Sequence, residues 1–155
     1  MEMPQLSPEH QKLNILIGNW VGQEQIQPSP FDPVGGPAVG HVQNRSALDG
    51  FAVIQDYEQE RNGGVNFRGH GIFRWDAEEK CYVLHWFDSL GAKPVEYRGT
   101  LENKLLIVTA SQTQGFARAS FDFTQENTYQ YRMEVSPDGT QWFVFTEGKY
   151  EKNTL

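Results

Sequence analysis

Apolar and polar residues alternate along most of this chain, and the one departure from alternation lies near its start. Leu13, Leu16 and Ile17 are spaced to share one face of a helix. Ser7 and Pro8 mark where that helix begins: a serine at the boundary accepts a bond from an unpaired backbone N–H, and proline's fixed φ suits the first helical position. Gly18 ends it. After Trp20 the helical period disappears, and about ten alternating or β-rich runs follow, separated by turn signals. That spacing predicts an antiparallel barrel or sandwich. Gln27 to Pro37 holds four prolines and two glycines, which predicts a long loop after the first strand. With no repeat, low-complexity tract or composition break, one domain over residues 1–155 is expected.

Turn chemistry sets register, and register decides which side chains share a face. Asp49-Gly50 is a two-residue hairpin signal that places Ser46 opposite Val53, Asn44 opposite Gln55 and Val42 opposite Tyr57. His41 against Glu58 and Gln43 against Asp56 then form a solvated face. A loop at Asp76-Ala77-Glu78-Glu79 predicts Gly71 opposite Leu84 and Gly69 opposite Trp86, an indole covering bare glycine backbone. The same alignment makes His70 and His85 outer neighbours. Gln125-Glu126-Asn127 aligns Phe121 with Tyr131, Ala119 with Met133 and, on the other face, Arg118 with Glu134. Ser136-Pro137-Asp138-Gly139 closes the last hairpin, with Met133 opposite Trp142. The expected interior is Trp20, Val42, Val53, Tyr57, Phe67, Phe73, Leu84, Trp86, Phe121, Tyr131, Met133 and Trp142.

Composition narrows the partners. The chain has 155 residues, 13 of them basic and 20 acidic, for a formal net charge of -7. Phosphate-tracking nucleic-acid binders and binders of anionic lipid need a basic face, so neither partner is expected. A single cysteine, Cys81, leaves no internal disulfide. The start Met1-Glu2-Met3-Pro4-Gln5 lacks a basic and apolar leader pattern, and the longest apolar run, Leu105-Leu106-Ile107-Val108, is far too short to cross a bilayer. A cytoplasmic location is the expectation.

Gly18-Asn19-Trp20-Val21-Gly22 after a short helix resembles the Gly-x-Trp opening of the lipocalin and calycin barrels. Together with Leu48-Asp49-Gly50-Phe51, the Phe67–Phe73 and His85–Gly91 stretches, and the Ser136–Trp142 run, the chain resembles a bacterial lipocalin-like family catalogued as domain of unknown function fifteen-seventy-nine. The resemblance implies an all-β fold: a closed antiparallel up-and-down barrel of about ten strands with a short N-terminal helix. It implies no reaction. The opening is also similar to that of nitrobindin, a haem barrel whose iron is held by a late histidine. Here the last histidine is His85, and the final strands carry Tyr129, Tyr131 and Tyr150 instead, so no cofactor is expected.

Barrels of this size can enclose one small ligand. Gly40, Gly69 and Gly71 leave room, while Phe67, Trp86, Tyr57 and Tyr131 supply apolar walls. Glu24, Asn44, Gln55 and Asp88 fall on the same inward face and are the groups expected to orient a small apolar or amphipathic molecule. The alternative is that they satisfy one another, backbone or buried water. Asp88 carries two readings, a general acid or base tuned by an aromatic cavity, and a turn aspartate bonding local N–H groups. His70 and His85 would supply two metal ligands where a site needs a third. A histidine pair on the surface is the plainer reading; a structural or interaction barrel with a filled core, forming a homodimer through that His70–His85 face, is a further alternative. No nucleophile elbow, phosphate loop or metalloprotease motif is present.

Overall fold

The computed structural model describes residues 2–30 and 32–153. Phe31 of the predicted loop, Met1 of the predicted leader-free start, and residues 154–155 lie outside the described residues. A five-residue helix α1 (Pro8–Lys12) runs into a 3-10 turn (Leu13–Leu16), and ten strands follow. These are β1 (Gly18–Ile26), β2 (Gly36–Ala47), β3 (Ala52–Arg61), β4 (Gly64–Asp76), β5 (Cys81–Asp88), β6 (Val95–Glu102), β7 (Leu105–Gln112), β8 (Gly115–Asp122), β9 (Thr128–Ser136) and β10 (Phe143–Lys152). Each pairs antiparallel with its sequence neighbour, and β10 closes onto β1. This is the all-β, up-and-down closed barrel expected, with its short N-terminal helix. Closure removes every strand edge, which is why so regular a β protein presents no edge to other chains.

The helix seals one end. Ser7 N–H donates to His10 Nδ1 at 3.0 Å, fixing the first turn. Leu13 and Leu16 are buried, at about 1.5–3 kcal/mol for each side chain. The Leu16 carbonyl accepts from both Trp20 Nε1 (3.0 Å) and Asn44 Nδ2 (2.8 Å), so an orphan carbonyl at the helix end is satisfied from the barrel wall. From β5, the Tyr82 hydroxyl donates to the Glu9 backbone oxygen (2.8 Å) and carboxylate (2.9 Å). At the opposite end the proline-rich loop is held by Arg61, which pairs with Asp32 and donates to the Gly35 carbonyl (2.6 Å).

The Asp49-Gly50 turn gives the predicted register, with Val42 opposite Tyr57 and Asn44 opposite Gln55. Asp49 and Gly50 both have positive φ, and Phe51 N–H donates to the Leu48 carbonyl. Arg118–Glu134, Ala119–Met133 and Phe121–Tyr131 also pair as expected.

Two registers are corrected. The β4–β5 turn is Ala77–Lys80, one residue later than expected, because Asp76 stays in the strand and its carboxylate accepts from the Glu78 and Glu79 N–H groups. Gly71 therefore faces Trp86 and Gly69 faces Asp88. A shift of two leaves each residue's face unchanged but moves its partner, so His70 and His85 are not neighbours. His70 lies opposite Phe87 and bonds Asp56 (2.7 Å), while His85 lies opposite Ile72 and accepts from Arg74 Nε (3.0 Å). At the last hairpin the turn runs on to Trp142, so that β10 begins with Phe143 opposite Val135, and a further irregularity between Val144 and Thr146 puts Thr146, not Trp142, opposite Met133. Trp142 precedes β10 and stacks under the Arg118 guanidinium, 4.0 Å from ring centre, so it belongs outside the interior. Arg118 holds Glu134 through two bonds of 3.1 Å.

Candidate functional site

A ten-stranded barrel is wider than the eight-stranded kind that ordinary side chains fill, so its interior needs large aromatic rings or stays open. This barrel does both. The glycines that seemed to leave room are covered. A Cβ at Gly69 would lie 2.2 Å from the Trp86 ring, and one at Gly40 would lie 2.0 Å from the Tyr150 hydroxyl oxygen. Gly22 is covered the same way, by the Tyr150 ring. Trp86 thus covers the wall at β4 and Tyr150 the wall at β1 and β2, and both rings line a cavity of about 140 Å³. Its lining is Val42, Gln55, Tyr57, Gln59, Phe67, Leu84, Trp86, Tyr97, Ala119, Phe121, Tyr129, Tyr131, Met133, Phe145, Thr146 and Tyr150. A volume near 150 Å³ accommodates a single small ring.

Of the eight residues expected at a ligand site, Gln55, Tyr57, Phe67, Trp86 and Tyr131 line this cavity. Gln55 is buried, and its amide makes no hydrogen bond among the described residues. Tyr57 packs edge-on against Phe67 and tilted against Trp86, with ring centres 6.0 and 6.3 Å apart.

Glu24 sits behind the lining, 3% exposed. Its carboxylate accepts from the Tyr57 hydroxyl at 2.7 and 2.9 Å, from Gln59 Nε2 at 3.2 Å, and from the Tyr150 hydroxyl. Gln59 also donates to the Tyr57 oxygen at 3.1 Å. Burial, reinforced by the Glu24 charge, pushes the Tyr57, Tyr131 and Tyr150 phenols far above their ordinary range. Tyr97 is pushed up to about 12 by burial and then by Asp88. At neutral pH the phenols stay protonated, so Tyr57 and Tyr150 can donate to the carboxylate.

Asn44 lies opposite Gln55, nearer the helix end, where its amide donates to Leu16 and its Oδ1 is buried with no partner. Asp88 stands at the other end of the barrel. One oxygen accepts from Trp86 Nε1 (3.0 Å) and the other from Leu90 N–H (3.0 Å), which is the geometry of a turn aspartate that also anchors the indole.

Gln59, Tyr97, Tyr129, Phe145, Thr146 and Tyr150 line the cavity without having been expected there. The signal for Tyr150 was Gly22 and Gly40, facing each other across β1 and β2, whose bare backbone needs a covering ring. Thr146 and Gln59 both adjoin register irregularities, which alternation alone does not reveal. Among the described residues, no group of three or more His, Cys, Asp or Glu side chains converges to hold a metal ion. No helix among them is long and apolar enough to cross a membrane.

Fold and site together define a closed antiparallel barrel, sealed by a helix at one end, with an aromatic interior cavity backed by a buried carboxylate. The chain belongs to the family described as Protein of unknown function (DUF1579), whose family model matches residues 5–152. In structure it is similar to Rv2717c from M. tuberculosis, with a TM-score of 0.70 at 12% identity over 96% of this chain and 99% of that one. It is also similar to the S-type phycobiliprotein lyase CPES from Guillardia theta, with a TM-score of 0.59 at 9% identity over 98% and 99% of the two chains. At these identities the likeness is one of fold. No curated protein matches the chain.

Proposed function

We propose that this protein binds one small, partly apolar molecule inside the barrel. The observation that carries the reading is the cavity of about 140 Å³ left among tightly packed aromatic rings, with the unbonded Gln55 amide in its wall. Pockets for small molecules combine an apolar lining with a few fixed polar groups, and this lining has that composition. Phe67, Trp86 and Tyr131 supply apolar contact, Gln55 and Tyr57 orient, and Glu24 acts through the Tyr57 hydroxyl. Asn44 and Asp88 hold the two ends of the site rather than its wall. An acid–base role for Asp88 gains no support from its position, since both oxygens are engaged.

The test pairs ligand-dependent melting with a filled cavity. A ligand at a hundredfold excess over Kd stabilises the fold by about 2.7 kcal/mol. For a chain of this size that raises Tm by about 5–11 °C. Ala119→Leu projects a larger side chain from the cavity wall and is expected to abolish that shift while the protein still melts cooperatively. Native mass spectrometry of protein from its own host is expected to show a reproducible added mass. Retention of the full shift in Ala119→Leu, or no shift with any small aromatic compound, overturns the reading.

A further inference from the structure

The cavity is backed by a buried acid, Glu24, with no cationic side chain against it among the described residues. Glu24 is a buried carboxylate whose partners among the described residues are two phenol hydroxyls and one amide, all uncharged. Burying an ion costs several kcal/mol unless hydrogen bonds and a counter-charge compensate, and here only the hydrogen bonds are supplied. No lysine, arginine or histidine lines the cavity. At the loop end of the barrel, Arg61 is committed to Asp32 and the Gly35 carbonyl. Because Tyr57 and Tyr150 turn their protons toward Glu24, their oxygens face the cavity as acceptors, that of Tyr57 shared with Gln59 Nε2 at 3.1 Å. The Tyr131 hydroxyl makes no hydrogen bond among the described residues, and its ring packs edge-on against Tyr150 with centres 6.3 Å apart. Tyr57, Trp86 and Phe121 line the same cavity, and aromatic rings attract cations to their faces through their quadrupoles.

We infer that the ligand is a small organic cation: an ammonium group held by the Tyr57 and Tyr150 oxygens in front of Glu24, carrying an apolar body of about one ring. This rests on the reading that the cavity binds a small molecule and names the chemistry it selects. The net charge of -7 acts in the same direction, since it raises the local concentration of cations around the molecule.

Three compounds of one shape separate the possibilities: benzylammonium, benzyl alcohol and benzoate, titrated by calorimetry into the wild-type chain at pH 7. The expected result is binding of benzylammonium at least tenfold tighter than benzyl alcohol, with benzoate not binding. Glu24→Gln is expected to bring benzylammonium and benzyl alcohol within about twofold of each other. The wild-type series decides by itself if that variant does not fold. Equal binding of the cation and the alcohol, or preferred binding of benzoate, overturns the cation inference and leaves the cavity reading standing. If none of the three binds, the cation inference falls, and the cavity reading is decided by the melting test above.

Discussion

Gly40→Ala tests whether the wall glycines exist to seat the Tyr150–Glu24 pair. The added Cβ would lie 2.0 Å from the Tyr150 hydroxyl oxygen, 2.8 Å from its Cζ and 3.0 Å from a Glu24 carboxylate oxygen. Tyr150 has little freedom to retreat. It is 1% exposed, and its ring is stacked on Tyr129 at 4.7 Å with an interplanar angle of 3°. Overpacking costs about 1–3 kcal/mol. Loss of the hydrogen bond to a charged group costs about 1.5–3 kcal/mol more. The expected destabilisation is about 4 kcal/mol, or roughly 8–16 °C in Tm. Chemical denaturation of Gly40→Ala, Tyr150→Phe and the double variant measures the coupling. Tyr150→Phe alone is expected to cost about 2 kcal/mol, because it leaves Glu24 short of a donor. In the Gly40→Ala background the same change is expected to cost little, since the bond is already lost and the oxygen that clashed is gone. A coupling of about 1.5 kcal/mol or more follows. Strict additivity, or a Gly40→Ala cost below about 1 kcal/mol, refutes the reasoning.

Asp138 is held down to about 2, chiefly by the Gln141 and Thr140 N–H groups it bonds. A carboxyl lower in the folded than in the unfolded chain stabilises fully above about pH 4 and loses that contribution as pH falls toward 2. Urea midpoints of wild type and Asp138→Asn are therefore expected to converge on acidification; parallel curves would contradict this. His85 is depressed by burial first and then by the Arg74 charge, and its Nε2 accepts from Arg74, so the folded protein prefers the neutral ring. Stability is expected to fall as pH drops below about 6.5, and His85→Gln to flatten that slope. Tyr82→Phe removes the bonds to Glu9 and is expected to cost about 1–2 kcal/mol, with hydrogen exchange accelerated first in Pro8–Lys12.

Residue order and local chemistry determined the number of strands, the helical start and the faces of most side chains. Alternation has period two, and a turn such as Asp49-Gly50 dictates its own backbone, so Val42, Tyr57, Asn44 and Gln55 could be put on one face without coordinates. The acidic balance and the single cysteine were legible in the same way. Tertiary structure alone decided what the inward face contains. A turn displaced by one residue separated His70 from His85, and a longer last turn with an irregularity at Val144/Thr146 put Thr146 where Trp142 was expected. Tyr150 meets Glu24 across 126 residues of chain, a contact that exists only because β10 closes onto β1. Closure brings the first and last strands together, and no local pattern records which side chain then fills the space over a glycine. The cavity is what remains when Trp86 and Tyr150 have taken theirs.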